Sequence, residues 1–132
     1  MPLSFPDVGE NLALEMIVNK TAAQNLVLKL YSNDVTPGEA DTAGTFTECA
    51  GSGYGALTLT GATWAAAAAG SIAYAQQTFT FTGALGNVYG YFVVQATSGT
   101  LVYAERFTSP TPPIIISNNG DQIKITPTIT AS

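Results

Sequence analysis

Nine acidic side chains, four basic ones and a single thiol, Cys49, carry most of the polar chemistry of this 132-residue chain, which has no histidine. Without histidine the commonest general base is missing, along with the usual zinc ligand sets and the Ser-His and Cys-His nucleophiles. Two carboxylates flanking a sugar can hydrolyse a glycoside. Glu48, Glu105 and Asp121 are the candidates here, but nothing in the local sequence pairs them. Asp34, Glu39 and Asp41 crowd one segment yet lack the alternating oxygen-ligand spacing of a calcium loop, so a solvated acidic loop is the simpler reading. Residues 51–55, Gly-Ser-Gly-Tyr-Gly, have neither the lysine nor the following helix of a phosphate loop. Cys49 has no second thiol to pair with and reads as a small buried hydrophobe in a protein assembled in a reducing compartment. The expectation is a non-enzyme with no catalytic, cofactor or metal site.

The elements that would position these groups are mostly strands. Residues 88–107 read as two long aromatic strands joined at 96–100, where Gly99 can take the positive φ of a hairpin loop. Tyr89, Tyr91 and Val93 are expected on one face, with Val88, Phe92 and Val94 on the other. Gly90 marks a bulge or a close backbone approach. With both faces apolar, this strand is expected to be central and covered on both sides. Residues 25–33 form another strand, placing Leu26, Leu28 and Leu30 opposite Val27, Lys29 and Tyr31. Further strands are expected at 45–49, 56–60, 72–82, 114–117 and 122–130. Pro127 makes the last an edge strand or a bulged one. Trp64 is a core anchor, and the alanine run 65–69 is irregular or strand-edge. The loop at 34–44 exceeds ordinary hairpin length and reads as a contact loop.

Ahead of the strands, Pro2 and Pro6 predict an extended arm over residues 1–6. A helix follows from Asp7 to about Lys20, with Asp7 as N-cap, Glu10 completing a capping box, and Gly9 a cost in the first turn. At 100° per residue Asn11, Glu15 and Asn19 make one narrow polar stripe. Val8, Leu12, Ala13, Leu14, Met16, Ile17 and Val18 fill most of the remaining circumference. Such a helix is either deeply buried or sandwiched between its own sheet and something else. The whole predicts one domain over 1–132, mainly β: an antiparallel β-sandwich of about eight strands with one N-terminal α-helix. Jelly-roll and barrel-like closures both stay open.

Hydrophobic residues make up 46% of the chain and charged ones 10%, with a net charge of −5; an average soluble domain carries about 25% charged residues. An acidic chain with no basic patch argues against nucleic-acid binding. No apolar run approaches the ~18 residues of a membrane span. The N-terminal residues lack the basic and then apolar regions of a secretion signal. A surface of Thr, Ser, Gly, Asn and Ala is inexpensive to desolvate. It fits either an ordinary Thr-rich β-protein or one that hides much of its surface in an assembly.

Residues 25–37, 89–93, 103–107 (Tyr-Ala-Glu-Arg-Phe) and 119–127 (Asn-Gly-Asp-Gln-Ile-Lys-Ile-Thr-Pro) together resemble a group of small structural proteins from tailed bacteriophages. The resemblance runs over nearly the whole chain and is carried by turns and strand patterns. It implies a virion component made in the host cytoplasm and carries over no active-site residue. It does not separate head from tail. The expected role is a decoration or cement protein on the capsid exterior, a dimer or trimer that bridges major capsid protein subunits. A tail, neck or baseplate component is the alternative, and a carbohydrate-binding module a third reading. Expected contact residues are Leu3 and Phe5 of the arm, Asn11, Glu15 and Asn19 of the helix, and Val35 and Pro37 of the loop. Arg106, the sole arginine, is expected to pair with a carboxylate on a neighbouring strand or chain.

Overall fold

The aromatic stretch at residues 88–107 lies at the centre of the protein, whose residues 5–131 are described by a computed structural model. Its two strands are β6 (Gly90–Gln95) and β7 (Leu101–Arg106), joined by a turn in which Gly99 has φ 73°. With β1 (Leu26–Tyr31) and β2 (Leu57–Leu59) they form an antiparallel sheet in the order β2-β1-β6-β7. Every residue of β6 is buried. Leu28, Leu30, Tyr91, Val93 and Tyr103 face a larger core, and Tyr31, Phe92, Val94, Leu101 and Ala104 face a smaller one. The alternation expected for β1 and for Tyr91 to Val94 is the one observed. Val88 and Tyr89 are exchanged, Val88 packing into the larger core and Tyr89 against the smaller. The side-chain alternation shifts by one residue across Gly90, where a Cβ would run into the Glu105 carbonyl and lie 2.6 Å from the Tyr31 hydroxyl. Gly90 therefore marks a close approach.

The remaining strands are β3 (Ser71–Ala73), β4 (Gln77–Thr80), β5 (Gly86–Val88), β8 (Ile114–Ile116), β9 (Gln122–Ile125) and β10 (Thr128–Thr130). They pair as nested antiparallel ribbons: β5 with β8, β4 with β9, and β3 with β10. One long interrupted hairpin with β6–β7 at its tip thus folds over itself, the nesting from which jelly rolls are built. Phe79, Phe81, Ile116, Ile123 and Ile125 on its inner side complete the larger core. Pro127 splits β9 from β10, as its missing N–H requires, and its carbonyl accepts the Tyr74 amide at 2.8 Å. Trp64 is half-buried and meets Tyr74 edge-on, ring centroids 5.2 Å apart.

Residues 45–49 are not a strand. A single 3-10 turn at Ala43–Thr45 precedes them, and only Glu48 bridges to Tyr31. The turn drops Phe46 into the smaller core, where its ring stacks on Phe92 at 5.1 Å and tilts against Tyr31 at 4.9 Å. Burying that aromatic outweighs the weak local alternation.

The helix α1 (Asp7–Ile17) begins at Asp7, its expected cap, and ends three residues short of Lys20. Pro6, not Asp7, is the N-cap; its carbonyl accepts the amides of Gly9 at 2.9 Å and Glu10 at 3.0 Å, with no side-chain cap. Asp7 and Glu10 still lie in the first turn, where the helix dipole favours negative charge. The stop is a Schellman motif. Asn19 takes φ 60°, its amide bonds the Met16 carbonyl at 3.1 Å, and the Lys20 amide bonds Glu15 at 2.8 Å.

α1 packs on β7, the edge strand of the central sheet, sending Leu12 into the larger core and Val8 against the smaller. It docks at a β-bulge: Val93 pairs with Tyr103 but Val94 with Leu101, leaving Val102 as the extra residue. A Cβ on Gly9 would collide with the Val102 carbonyl. The helix-propensity cost of Gly9 is thus what lets a helix seal this sheet edge. The arm expected over 1–6 is corrected where it is described. Phe5 packs on the larger core, its ring 5.6 Å from that of Tyr103, and Pro6 is fully buried. Leu3 lies outside the described residues.

Gly9→Ala and Gly90→Ala should each lower stability in urea melts by about 1–3 kcal/mol, an overpacking cost. For Gly9→Ala this opposes a helix-propensity gain of about 1 kcal/mol. Gly55→Ala, with nothing within 4 Å of the added Cβ, should change stability by no more than about 0.5 kcal/mol.

Candidate interaction surfaces

Most of the acids considered for chemistry are used separately, as structural ties. Glu48 pairs with Lys29 at 3.4 Å and accepts the Tyr54 hydroxyl at 2.8 Å. Glu105 accepts the Tyr91 hydroxyl at 3.0 Å. One Asp121 oxygen accepts the amides of Ser117 and Asn118, both at 3.0 Å. Asp41 accepts the Gly38 amide at 2.7 Å, while Glu39 is exposed. No group of three or more His, Cys, Asp or Glu side chains among the described residues could hold a metal ion. Cys49 is buried, and desolvation with Glu48 beside it pushes its thiol up to about 11.

The long loop at 34–44 is pinned by the sole arginine. Arg106 pairs with Asp34 at 2.7 Å, donates to the Val35 carbonyl at 3.1 Å, and sits 5.2 Å from the centroid of the Tyr89 ring. The Tyr31 hydroxyl donates to that same carbonyl at 3.1 Å. Farther along, the Asp7 amide of α1 donates to the Glu39 backbone carbonyl at 2.8 Å. Val35 packs on the smaller core and Pro37 is half-buried. The expected contact loop is therefore a cover for the smaller core, and the ion pair of Arg106 is made within the chain. Glu105 and Arg106 point to opposite faces, as adjacent strand residues must.

Within the polar stripe of α1, Asn11 and Asn19 are exposed and Glu15 is half-buried. Asn11 and Glu15 line a groove of about 380 Å³ between the helix and the β6–β7 turn, together with Gln24, Gln95, Ser98 and Thr100. Glu15 accepts the Thr21 hydroxyl at 2.7 Å, and the Gln24 side-chain oxygen accepts the Thr97 and Ser98 amides at 2.9 and 3.1 Å. Gln95 is buried and accepts the Ser98 hydroxyl at 2.7 Å, while its side-chain nitrogen has no partner among the described residues. Asn19 terminates the helix.

Leu14, Ile17 and Val18 face outward as well, 63%, 79% and 72% exposed. Sequence reasoning named the polar stripe as contact residues and left these three among the apolar remainder of the helix. Their i, i+3, i+4 spacing was a signal, but every other flank of the helix was apolar too.

Charge is unevenly spread over the surface. Asp7, Glu10, Lys20, Asp34, Glu39 and Glu48 are exposed, yet between residues 50 and 131 the only exposed ionic side chain is Lys124. Glu105, Arg106 and Asp121, in that same span, are half-buried. The outer side of the nested ribbons shows Thr78, Thr80, Thr128, Thr130 and Ile115, with the exposed alanines 65–69 beside them. No family model, curated protein or solved structure matches the chain.

Removing the loop's pin gives a graded outcome. Asp34 is largely exposed, so Asp34→Asn should cost no more than about 1 kcal/mol. Arg106→Ala also strands the Val35 carbonyl, and should cost about 1–3 kcal/mol and speed amide exchange in residues 34–44.

Alkali should unfold the protein. Burial pushes the Tyr31 hydroxyl up to about 12, and burial is also the leading cause of the upward shifts at Tyr54, Tyr91 and Tyr103. Between their unfolded and folded values the unfolded chain holds fewer protons, so stability falls as pH rises. The melting temperature should decline from about pH 9, where the Cys49 thiol begins to contribute, and more steeply from about pH 10. Tyrosinate absorbance should rise together with the loss of β-structure.

Proposed function

We propose that this protein is a decoration or cement protein of a tailed-phage head, seating the outer side of its nested ribbons, where Lys124 is the one exposed ion, on the major capsid protein and bridging neighbouring subunits. The nearly ion-free surface of residues 50–131 carries this reading. Burying hydroxyls and methyls against a protein lattice costs far less than burying ions, and the centres of protein interfaces are depleted in charge. The surface is also preformed. It lies over a core of Phe79, Phe81, Ile116, Ile123 and Ile125, so little ordering entropy opposes binding. The phage-like patterns at 25–37, 89–93, 103–107 and 119–127 support the same assignment.

The test is made on particles. Purified virions should hold on the order of hundreds of copies, as a head lattice does, whereas about six or twelve would move the protein to a neck or baseplate. Heads lacking it should release DNA at lower temperature and under milder osmotic shock; equal resistance would defeat the cementing role. Ile115→Lys and Thr128→Lys, at exposed ribbon positions, should leave melting unchanged and lower affinity for bare heads at least about tenfold, roughly 1.4 kcal/mol.

A further inference from the structure

We infer that the outward face of α1 is a self-association site, at which two copies of the chain pair their helices antiparallel about a two-fold axis. Leu14, Ile17 and Val18 present a continuous apolar stripe at 63–79% exposure, on a helix whose opposite side is fixed to the sheet by Gly9 and Leu12. Glu10 lies on the same stripe one turn ahead of Leu14, and exposed Lys20 follows the helix end.

This pattern is an apolar centre with an acid at one end and a base at the other. A two-fold interface joins identical patches, so what stands at one end must complement what stands at the other. Antiparallel pairing meets that requirement: Lys20 of each copy falls against the Glu10 turn of the other, and the helix dipoles oppose. Parallel pairing would set lysine against lysine and acid against acid. The self-complementarity of the stripe selects a second copy as occupant over an unrelated partner. Three apolar side chains make a patch smaller than the ~800 Å² per partner of a standard interface, so the dimer should form in the micromolar range or weaker. The inference is independent of the capsid reading, since it requires no particle.

Sedimentation equilibrium of the full chain from about 5 to 500 µM tests it, since interfaces of this size class bind weakly. A monomer–dimer equilibrium is expected. Ile17→Asp should weaken it at least about tenfold, corresponding to loss of one buried apolar side chain, with unchanged circular dichroism and melting. Glu10→Lys and Lys20→Glu alone should each weaken association, whereas an equimolar mixture of the two variants should restore it through a heterodimer with both ends matched. A chain that stays monomeric throughout, a dimer indifferent to Ile17→Asp, a trimer as the associated species, or a mixture that fails to restore pairing would each overturn the proposal.

Discussion

The strand β6 is buried on both faces, and the rest of the fold follows from that constraint. A strand carrying Tyr91 and Val93 on one side and Phe92 and Val94 on the other cannot use water as either neighbour. It needs two covers. The nested ribbons supply one, by folding a long hairpin back over its own tip. The other is assembled from parts that belong to no sheet: the 34–44 loop, Phe46, and the first turns of α1. The second cover buries less apolar surface, and there the polar ties concentrate. Arg106, Tyr31 and Asp7 all bond the loop backbone, satisfying carbonyls that no strand partner could reach.

That arrangement also accounts for how few ions the chain carries and where they are. Arg106, Lys29, Glu48, Glu105 and Asp121 are each committed to a specific internal bond. The ribbon side needs no such ties, because its strands satisfy one another and its core is aromatic and aliphatic. Threonine is sufficient there: its branched Cβ suits the pleated strand and its hydroxyl keeps the outer side wet.

The elements legible in the sequence were those set by neighbouring residues. The β6–β7 hairpin, the alternation of β1, the positive φ of Gly99 and the interruption at Pro127 all follow from local sterics and period-two patterning. What stayed hidden depended on distant partners. The pairing of Ser71 with Thr130 or Gln77 with Ile125 joins residues too far apart for any local pattern to encode. Phe46 sits in an alternating run that reads as strand until the cavity beside Phe92 is known. Gly9 read as a weakness because propensity measures an isolated helix, whereas its reason is the Val102 carbonyl of a bulge 93 residues later. The same limit applied at the candidate surfaces. Asn11, Glu15 and Asn19 were grouped as a stripe, but periodicity gives relative angle and not absolute direction, so the exposure of Leu14, Ile17 and Val18 was not foreseen.

The two surfaces proposed for association differ in the physics they can use. The ribbon side has almost no charge, so it gains little from electrostatic steering, and its affinity must come from area, fit and rigidity. The helix face is small, and its apolar centre alone would tolerate many registers. Glu10 and Lys20 at its two ends make one register better than the others, adding specificity more than energy. Because the exposed face of α1 and the outer side of the ribbons are formed by different segments of the chain, engaging one surface need not consume the other. A chain built this way can pair with its copy through a selective but weak contact and still offer a broad, preformed, nearly uncharged side to a lattice, where many weak attachments add through effective concentration.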